Sequence, residues 1–344
     1  EAIKQELVAL AQSLGFALCR IAPAVSPPHA EAFQRWLNDG CHGEMAWMER
    51  NRERRTNPEL VLPGVQSVVV LAMSYWQGPE PPGSGNAPRG RIARYAWNDD
   101  YHDILLPRLR QIDAFLASHG GKQRYYVDTG PVLERDYAAL AGIGWHGKST
   151  MLVSSGLGTW FFLSELLTTL PLPADSLHPD RCGRCTRCIA ACPTGAITGP
   201  HHLDARRCVS YLTIELKGSI PEPLRPLIGD RIYGCDECLA ACPWNRFAQL
   251  SREAAFAPRP AVQLGLRDYL AMDDEAFRTH FRRSPIKRIK RRGFLRNVCV
   301  ALGNVGTPDD LEALEAAARD PEPLIAEHAR WAIRQIRRRH FPAA

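Results

Sequence analysis

The sequence predicts three consecutive regions: a mixed α/β region over residues 1–175, a cysteine-rich metal-binding region over 176–250 and an α-helical region over 251–344. Three observations support this division. The β-branched run VQSVVVLAMSY is followed by segments with helical spacing, eight of the eleven cysteines fall between residues 182 and 242, and two similar apolar segments recur beyond residue 290. A chain of 344 residues is long enough for three regions with their own apolar cores.

Elements of the first region follow from apolar periodicity and from turn residues. In order, the sequence predicts an amphipathic helix at 1–16 with Ile3, Leu7, Leu10 and Leu14 on one face, a buried strand at 65–75, a long Pro/Gly-rich loop at 77–90, a helix at 103–120, a strand at 124–128 and a helix at 131–142 with Pro131 in its first turn. Helices and strands therefore alternate, which is typical of an α/β region.

The composition argues against a membrane protein. The apolar fraction of 45% is ordinary, and no apolar run approaches the roughly 18 residues that a membrane span requires. The N-terminal helix lacks the basic segment and small-residue cleavage site of a signal peptide. We therefore expect a cytoplasmic monomer whose numbering begins just inside the natural start, since no initiator Met is present.

The strongest signal is the cysteine pattern. Residues 182–193 read CGRCTRCIAACP, the C-x2-C-x2-C-x3-C-P run of bacterial ferredoxins, in which the fourth cysteine binds a different [4Fe–4S] cluster from the first three. A second ligand set is therefore expected, and residues 235–243, CDECLAACP, supply three cysteines. When the two runs are aligned, the position in the second run that corresponds to Cys182 is Ile232, so one ligand is missing there. Cys208 can provide it.

Eight cysteines thus predict a ferredoxin-like module with two [4Fe–4S] clusters that moves single electrons. The first set is Cys182, Cys185, Cys188 and Cys242, and the second set is Cys192, Cys208, Cys235 and Cys238. Zinc is the alternative, because C-x2-C pairs also bind structural zinc, but the interlocked Cys-Pro endings favour iron–sulfur. The isolated Cys19, Cys41 and Cys299 are expected to be buried as small hydrophobic residues.

Positive charge is concentrated near the C-terminus, although the formal net charge is only +6. The first cluster, between Arg278 and Arg296, contains Arg282, Arg283, Lys287, Arg288, Lys290, Arg291 and Arg292, and the second contains Arg334, Arg337, Arg338 and Arg339. Two basic clusters in one region favour a nucleic-acid partner over the alternative of a solvated helix face.

The segment GIGWHGKST, residues 142–150, fits both G-x-G-x-x-G and G-x-x-x-x-G-K-[ST]. Either nucleotide-binding pattern needs a strand before the loop and a helix after it. Here a predicted helix precedes the loop and a strand-and-turn segment, MLVSSGLGTWFFL, follows it. We therefore expect Gly142 to end a helix rather than to bind a nucleotide, while Lys148 is either a contact to an anionic cofactor group or a surface lysine.

Asp128 ends a predicted strand in YYVDTG. Loops after strands often carry catalytic groups, and Asp is also a common helix cap, so both roles remain open from local sequence. Flavin, haem and histidine-ligated cobalamin motifs are absent from the sequence.

The last region contains a repeat. LRNVCVALGNVG (295–306) and AEHARWAIRQI (326–336) match at a period of about 31 residues, with TPDDLEALEAAARD between them as a further helix. Paired helices at this period predict HEAT-like repeats that must pack on the rest of the protein.

Several segments together resemble the epoxyqueuosine reductases, in order and over nearly the whole chain. They are RTNPELVLPGVQSVV (55–69), YAWNDDYHDIL (95–105), VDTGPVLERDYAALAGIGWHGKSTMLV (127–153), the two cysteine runs, YLTIELKG (211–218) and the HEAT-like tail. The resemblance implies two [4Fe–4S] clusters and a cobalamin in a corrinoid domain similar to that of reductive dehalogenases. It also implies reduction of epoxyqueuosine to queuosine at the wobble position of tRNA, with electrons from an unidentified donor.

Individual roles follow from the same resemblance. Asp128 would be the proton donor, the cobalamin contacts would be Arg55, Ala93, Asp128, Lys148, Leu152, Leu163 and Ser210, and the tRNA contacts would be Lys217 together with the basic residues Lys287, Arg288, Lys290, Arg291 and Arg292. The sequence departs from the family at Asn98, where Gly is expected, and at Ser149, where Asn is usual. Ala93 occupies a position that can be Cys in relatives.

Two other functions share part of this pattern. A corrinoid reductive dehalogenase acting on a small molecule would use the same clusters but would have no need of the basic C-terminal region. A plain electron carrier with an RNA-binding appendage would leave the first 175 residues unexplained.

Overall fold

The structure is a computed structural model that describes residues 1–79 and 88–342. The strands of the first region are β1 (Leu18–Pro23), β2 (Ser67–Ser74), β3 (Arg91–Ile92), β4 (Gln123–Tyr126), β5 (Trp145–His146), β6 (Leu152–Val153) and β7 (Phe161–Thr168). Four of them form a sheet in the order β1-β2-β7-β4, in which every neighbouring pair is antiparallel.

The helices of this region are α1 (Ala2–Ser13), α2 (Ala30–Asn38), α3 (Ala46–Arg50), α4 (Arg52–Thr56), α5 (Tyr101–Ser118) and α6 (Glu134–Leu140). The helix predicted from residue 131 begins three residues later, so the placement of Pro131 in its first turn was wrong. Asp128 adopts a left-handed φ of 53°, and residues 128–133 form a turn that ends only at Glu134. Of the Pro/Gly-rich loop predicted at 77–90, residues 80–87 lie outside the described residues.

Strand β2 explains why the apolar run is continuous rather than alternating. All eight of its residues are buried. Val69 and Leu71 pack in a core with Leu105 of α5 and Leu7 of α1, and Val70 on the opposite face packs with α6. The region is therefore three layers around an antiparallel sheet. The α/β prediction holds for the mixture of elements and not for parallel β-α-β units, because burial on both faces produces the same sequence signal in either topology.

The cysteine-rich region is built from short elements. Its strands are β8 (Ile197–Gly199), β9 (His202–Leu203) and β10 (Arg231–Tyr233), and its helices are α7 (Arg187–Ala190), α8 (Arg225–Ile228) and α9 (Glu237–Ala240). A π-helix, Tyr211–Glu215, follows Cys208. Strand β10 pairs in parallel with β3, which joins this region to the first.

The C-terminal region is helical, as predicted. Its helices are α10 (Leu266–Leu270), α11 (Asp274–His280), α12 (Lys290–Val305), α13 (Leu311–Ala317) and α14 (Pro323–His340). The two matched segments lie in α12 and α14, which pack so closely that Gly303 leaves no room for a Cβ atom beneath the Trp331 ring. One apolar core joins these helices to the cysteine-rich region through Leu212 and Ile232. In the described part of the chain, every helix is too short or too polar to cross a membrane.

Candidate active site and cluster-binding residues

The structure brings the first cysteine set together. Cys182 and Cys185 precede α7, Cys188 lies within it, and Cys242 follows α9. Burial raises the pKa of the Cys242 thiol, and the neighbouring thiols of Cys182, Cys188 and Cys185 raise it further. The four sulfur atoms are therefore near enough to interact electrostatically.

The second set is grouped in the same way. Burial raises the pKa of Cys238, and Cys208, Cys235 and Cys192 add to the effect as neighbouring thiols. Both groups of four coincide with the sets that the sequence predicts.

The spacing of these sulfur atoms is wider than a single zinc ion requires. Tetrahedral zinc, with Zn–S bonds of about 2.3 Å, places its sulfur ligands about 3.8 Å apart. Within residues 1–79 and 88–342, no three cysteine sulfur atoms lie within 4.8 Å of one another. The pockets also contain backbone donors: the Ala196 N–H lies 3.2 Å from Cys192 Sγ, and the N–H groups of Ser210 and Tyr211 point at Cys208. Hydrogen bonds to ligand sulfur are among the features that tune such clusters.

A second site lies around Asp128. The Tyr101 hydroxyl donates a hydrogen bond to one carboxylate oxygen, and His102 Nε2 lies 3.0 Å from the other. The side chain remains 45% exposed. Asp128 does not cap α6, whose N-cap residue is Leu133, so the capping role left open by the sequence is wrong.

His102 is a member of this site that sequence reasoning missed. Its Nδ1 lies 2.8 Å from Asp100, which also accepts a salt bridge from Lys287 at 3.1 Å. Burial lowers the pKa of His102, but the hydrogen bonds to Asp100 and Asp128 outweigh it and raise the pKa to about 9. His102 is thus protonated at neutral pH and lies between the side chains of Asp100 and Asp128. Its place in YAWNDDYHDIL, next to two Asp residues, was the available signal.

Behind Asp128 lies a buried group of charged side chains. Arg55 is 7% exposed and donates from Nη1 to the Val132 carbonyl at 3.3 Å, while its Nε has no partner among the described residues. Glu134, at the start of α6, is half-buried with its Oε1 enclosed, and it lies near Asp128 and faces Glu165 of β7. Neither glutamate was singled out from the sequence.

The glycine segment forms the β5–β6 hairpin and follows a helix, so it lacks the strand–loop–helix order that a nucleotide-binding loop requires. Gly142 follows α6 with a left-handed φ of 74°, as expected. Asp136 lies 2.8 Å from His146 Nε2 and 2.7 Å from His29 Nδ1, which ties the hairpin to α6 and to the N-terminus of α2.

The remaining predicted cofactor contacts occupy several places. Lys148 donates to the Gly183 carbonyl at 2.6 Å, within the first cysteine run. Leu152 is buried in β6, and Leu163 lies two residues before Glu165 on the same face of β7. Ala93 lines a cavity of about 140 Å³ together with Cys235, and the half-buried Ser210 follows Cys208.

Five of the six basic residues assigned to tRNA are exposed, and three of these five are paired with acidic side chains. Lys287 pairs with Asp100, Arg288 with Glu215 and Arg292 with Glu322, while Lys217 and Lys290 are exposed. The assignment of Arg291 to tRNA is not supported, because its guanidinium pairs with Asp320 and donates to the Met272 carbonyl.

Two other parts of the predicted basic clusters are structural. Arg296 is 1% exposed and donates to the carbonyls of Leu212, Leu216 and Gly218. In the tail, Arg339 donates to the carbonyls of Gly303 and Gly306 at the end of α12. The basic surface is therefore smaller than the sequence suggests.

Two four-cysteine sets, together with an aspartate that is held by Tyr101 and His102, indicate an iron–sulfur oxidoreductase. Residues 181–245 match the family model "4Fe-4S double cluster binding domain", and residues 55–129 match "Epoxyqueuosine reductase QueG, DUF1730".

Full-length comparisons identify the family. The epoxyqueuosine reductase of Xanthomonas campestris pv. campestris is 41% identical over 333 residues, covering 95% of this chain and 94% of that protein. The one of Escherichia coli K12 is 40% identical over 95% of this chain and 88% of that protein. A crystal structure of epoxyqueuosine reductase with an epoxyqueuosine-modified tRNA-Tyr stem loop is 32% identical, with a TM-score of 0.90 over 97% of this chain and 90% of that one. The chain belongs to the epoxyqueuosine reductase family.

Proposed function

We propose that this protein reduces epoxyqueuosine in tRNA to queuosine, with Asp128 as the proton donor at the substrate. The observation that carries the proposal is a carboxyl group that is held by Tyr101 and His102, remains 45% exposed, and lies in a chain whose relatives carry out this reduction. Protonation of a leaving oxygen by a positioned acid accelerates a reaction by about 10²–10⁴-fold.

The two cysteine sets would each hold a [4Fe–4S] cluster, the first with Cys182, Cys185, Cys188 and Cys242 and the second with Cys192, Cys208, Cys235 and Cys238. When bound, the clusters supply single electrons. The donor would be a one-electron carrier whose identity the chain does not specify.

The residues around Asp128 are suited to hold a cobalamin. The buried Arg55 Nε has no protein partner among the described residues, and the carboxamide groups at the edge of a corrinoid offer acceptors for such a donor. Arg55, Asp128 and Leu163 would contact it directly. Ala93 and Ser210 would lie on the side of the second cysteine set, and Lys148 and Leu152 would support the wall through the hairpin. When bound, the cobalt centre supplies reducing equivalents to the substrate.

The tRNA would approach over Asp128, because Lys287 joins the basic surface to the Asp100–His102–Asp128 group. The modified base must leave the anticodon stack to reach Asp128, as enzymes acting on bases require. Lys217, Lys290 and Arg292 are placed to contact phosphates, and Arg288 could exchange Glu215 for a phosphate. A tRNA substrate also favours a cytoplasmic location.

Three structural interpretations remain proposals. We retain the division into residues 1–175, 176–250 and 251–344, the description of α12–α14 as HEAT-like, and the monomeric state. The HEAT-like description is supported by the packing of α12 against α14 and by the apolar core that the C-terminal helices share with the cysteine-rich region.

Replacement of Asp128 tests the proposal. Asp128→Asn should retain iron, sulfide and added cobalamin but lose about 10²-fold or more of epoxyqueuosine turnover, measured by nucleoside analysis after reaction with a strong reductant. The control is Asp103→Asn, which changes an exposed Asp next to His102 and should remain active. Near-normal turnover by Asp128→Asn would remove this residue from the mechanism.

The tRNA surface is tested by salt dependence. Replacement of Lys217, Lys290 and Arg292 by Gln should weaken binding of a tRNA stem loop and reduce the slope of log K against log salt by about 2. Arg338→Gln in the tail should leave the slope unchanged. An unaltered slope in the triple variant would place the tRNA elsewhere.

A further inference from the structure

Glu165 is an unusual residue for its position. It lies in the middle of β7, between Val70 of β2 and Tyr126 of β4, and is 0% exposed. Throughout residues 1–79 and 88–342, no hydrogen-bond donor reaches either of its carboxyl oxygens. An ionised carboxylate buried without a donor costs several kcal/mol, so this group is stable only as a neutral acid.

Glu134 is the polar group that faces it. The two carboxyl groups interact directly, and Glu134 Oε1 also lacks a donor in the described part of the chain. Ionised carboxylates only accept hydrogen bonds, so two of them bond to each other only with a proton between them. The contact therefore requires one shared proton.

The charges around the pair do not remove this requirement. Arg55 from α4 donates to the Val132 carbonyl and Arg135 from α6 donates to the Thr150 carbonyl at 2.6 Å. Asp128 is the third charged neighbour. Burial raises the pKa of Glu134 and the Asp128 charge raises it further, while the two arginines only partly oppose this. Burial also raises the pKa of Glu165, and Glu134 adds to it.

The proposed reaction consumes two protons, so a second proton source besides Asp128 is needed. Removal of an epoxide oxygen breaks two C–O bonds, forms one C=C bond and releases water, which consumes two electrons and two protons. The iron–sulfur module delivers electrons from a one-electron carrier, and Asp128 can donate one proton. His102 is a poor source of the second, because its two N–H groups are held by Asp100 and Asp128 and its pKa is about 9.

We propose that Glu134 and Glu165 store a shared proton beside Asp128 and supply the second proton of the reduction through Asp128. This role rests on the proposed function, but the stored proton itself does not. It makes the buried pair a positioning element for proton delivery, since neither carboxyl group is placed in contact with the substrate.

Stability against pH tests the stored proton without any cofactor turnover. Because the folded state binds this proton above the ordinary glutamate pKa of about 4.3 and the unfolded state does not, unfolding free energy should fall as pH rises through neutrality. Glu165→Gln should abolish that part of the slope, and the infrared carbonyl band of a protonated carboxyl group should disappear.

The matched control is Glu253→Gln. Burial raises the pKa of Glu253, but hydrogen bonds from the Ala255 N–H and from Arg108 lower it overall, so this residue is ionised at neutral pH. Its replacement should leave both the slope near neutrality and the infrared band unchanged. A wild-type protein with no such band, or a band that survives in both Glu165→Gln and Glu134→Gln, overturns the stored proton.

Measurements of turnover then test whether the stored proton is delivered to the reaction. Glu165→Gln and Glu134→Gln should reduce single-turnover rates about 10-fold or more, with the deficit growing as pH rises and solution protons become scarce. Wild-type rates and pH profile in variants that have lost the infrared band would overturn delivery while leaving the stored proton intact. Inactive wild-type protein would instead count against the proposed function.

Discussion

The two cysteine sets have the same four thiol ligands but different surroundings. In the second set, Cys208 and Cys235 pack against the C-terminal core and Cys238 packs against the core of the sheet. The first set belongs to neither of these cores, and its neighbours are the β5–β6 hairpin and a short loop. A shared ligand motif therefore does not determine how strongly a cluster site is tied to the fold.

The second set is also the one that adjoins the acids. Cys235, Gly234 and Ala93 line one cavity, and Tyr95, two residues after Ala93, packs on Tyr101, the hydroxyl donor to Asp128. The same chain of contacts links the stability of the second site to the geometry of the proton donor. Changes in the second set should therefore affect folding and chemistry together, whereas changes in the first should affect electron supply alone.

Loss of a ligand gives the largest expected effect. Cys238→Ala and Cys185→Ala should each lose iron and more than about 10²-fold of turnover, but Cys238→Ala should also lower the urea midpoint of unfolding markedly, because it leaves a core-facing pocket without its cluster. Iron analysis and anaerobic urea denaturation measure the two effects. Equal midpoints for both variants would contradict the difference between the sites.

Glycines beside the two sets give an intermediate effect. Gly234 has φ 69°, and an added Cβ would lie 2.6 Å from the Ala93 Cβ; Gly183 has φ 51° and, in the described structure, no atom within 4 Å of an added Cβ. Gly234→Ala should therefore cost about 2–4 kcal/mol and Gly183→Ala only about 1 kcal/mol. Chemical denaturation of the two variants compares them, and a reversed order would argue that the first site is the tighter one.

A single hydrogen bond gives the smallest effect. Trp145 Nε1 lies 3.3 Å from Cys182 Sγ, and Phe can keep the packing against His178 and Trp244 without this donor. Trp145→Phe should lower the reduction potential of the first cluster by at most about 60 mV, because the donor stabilises the more negative reduced state. An electron paramagnetic resonance titration measures it, with an unchanged second cluster as the internal control.

The sequence predicted the elements well where local chemistry decides them. Cysteine spacing predicted a two-cluster domain, the Val-rich run predicted β2, and the residues around Gly142 predicted a helix before the glycine segment and a strand after it. Strand order was not predictable, because a strand buried on both faces has one sequence signature in parallel and antiparallel sheets.

The site itself was predicted only in part. Asp128 was singled out, but Glu165 was missed because a glutamate in an apolar strand reads locally as a solvent-facing position, and its partner Glu134 is 31 positions away. Arg291 and Arg296 were counted as surface charge, although their partners, Asp320 and the carbonyls after Leu212, are set by tertiary packing. A run of basic residues in the sequence does not indicate which guanidinium groups are buried in the fold.

Arg296 has a mechanical consequence. By donating to three carbonyls of the 212–218 segment, it fastens α12 to the stretch that carries Lys217. Lys217 and the basic residues Lys290 and Arg292 at the start of α12, more than seventy positions apart in the chain, are thus held at a fixed separation. A polyanion that bound both groups would have to match their fixed separation, so the curvature of its backbone, and not its bases, would decide whether it fits.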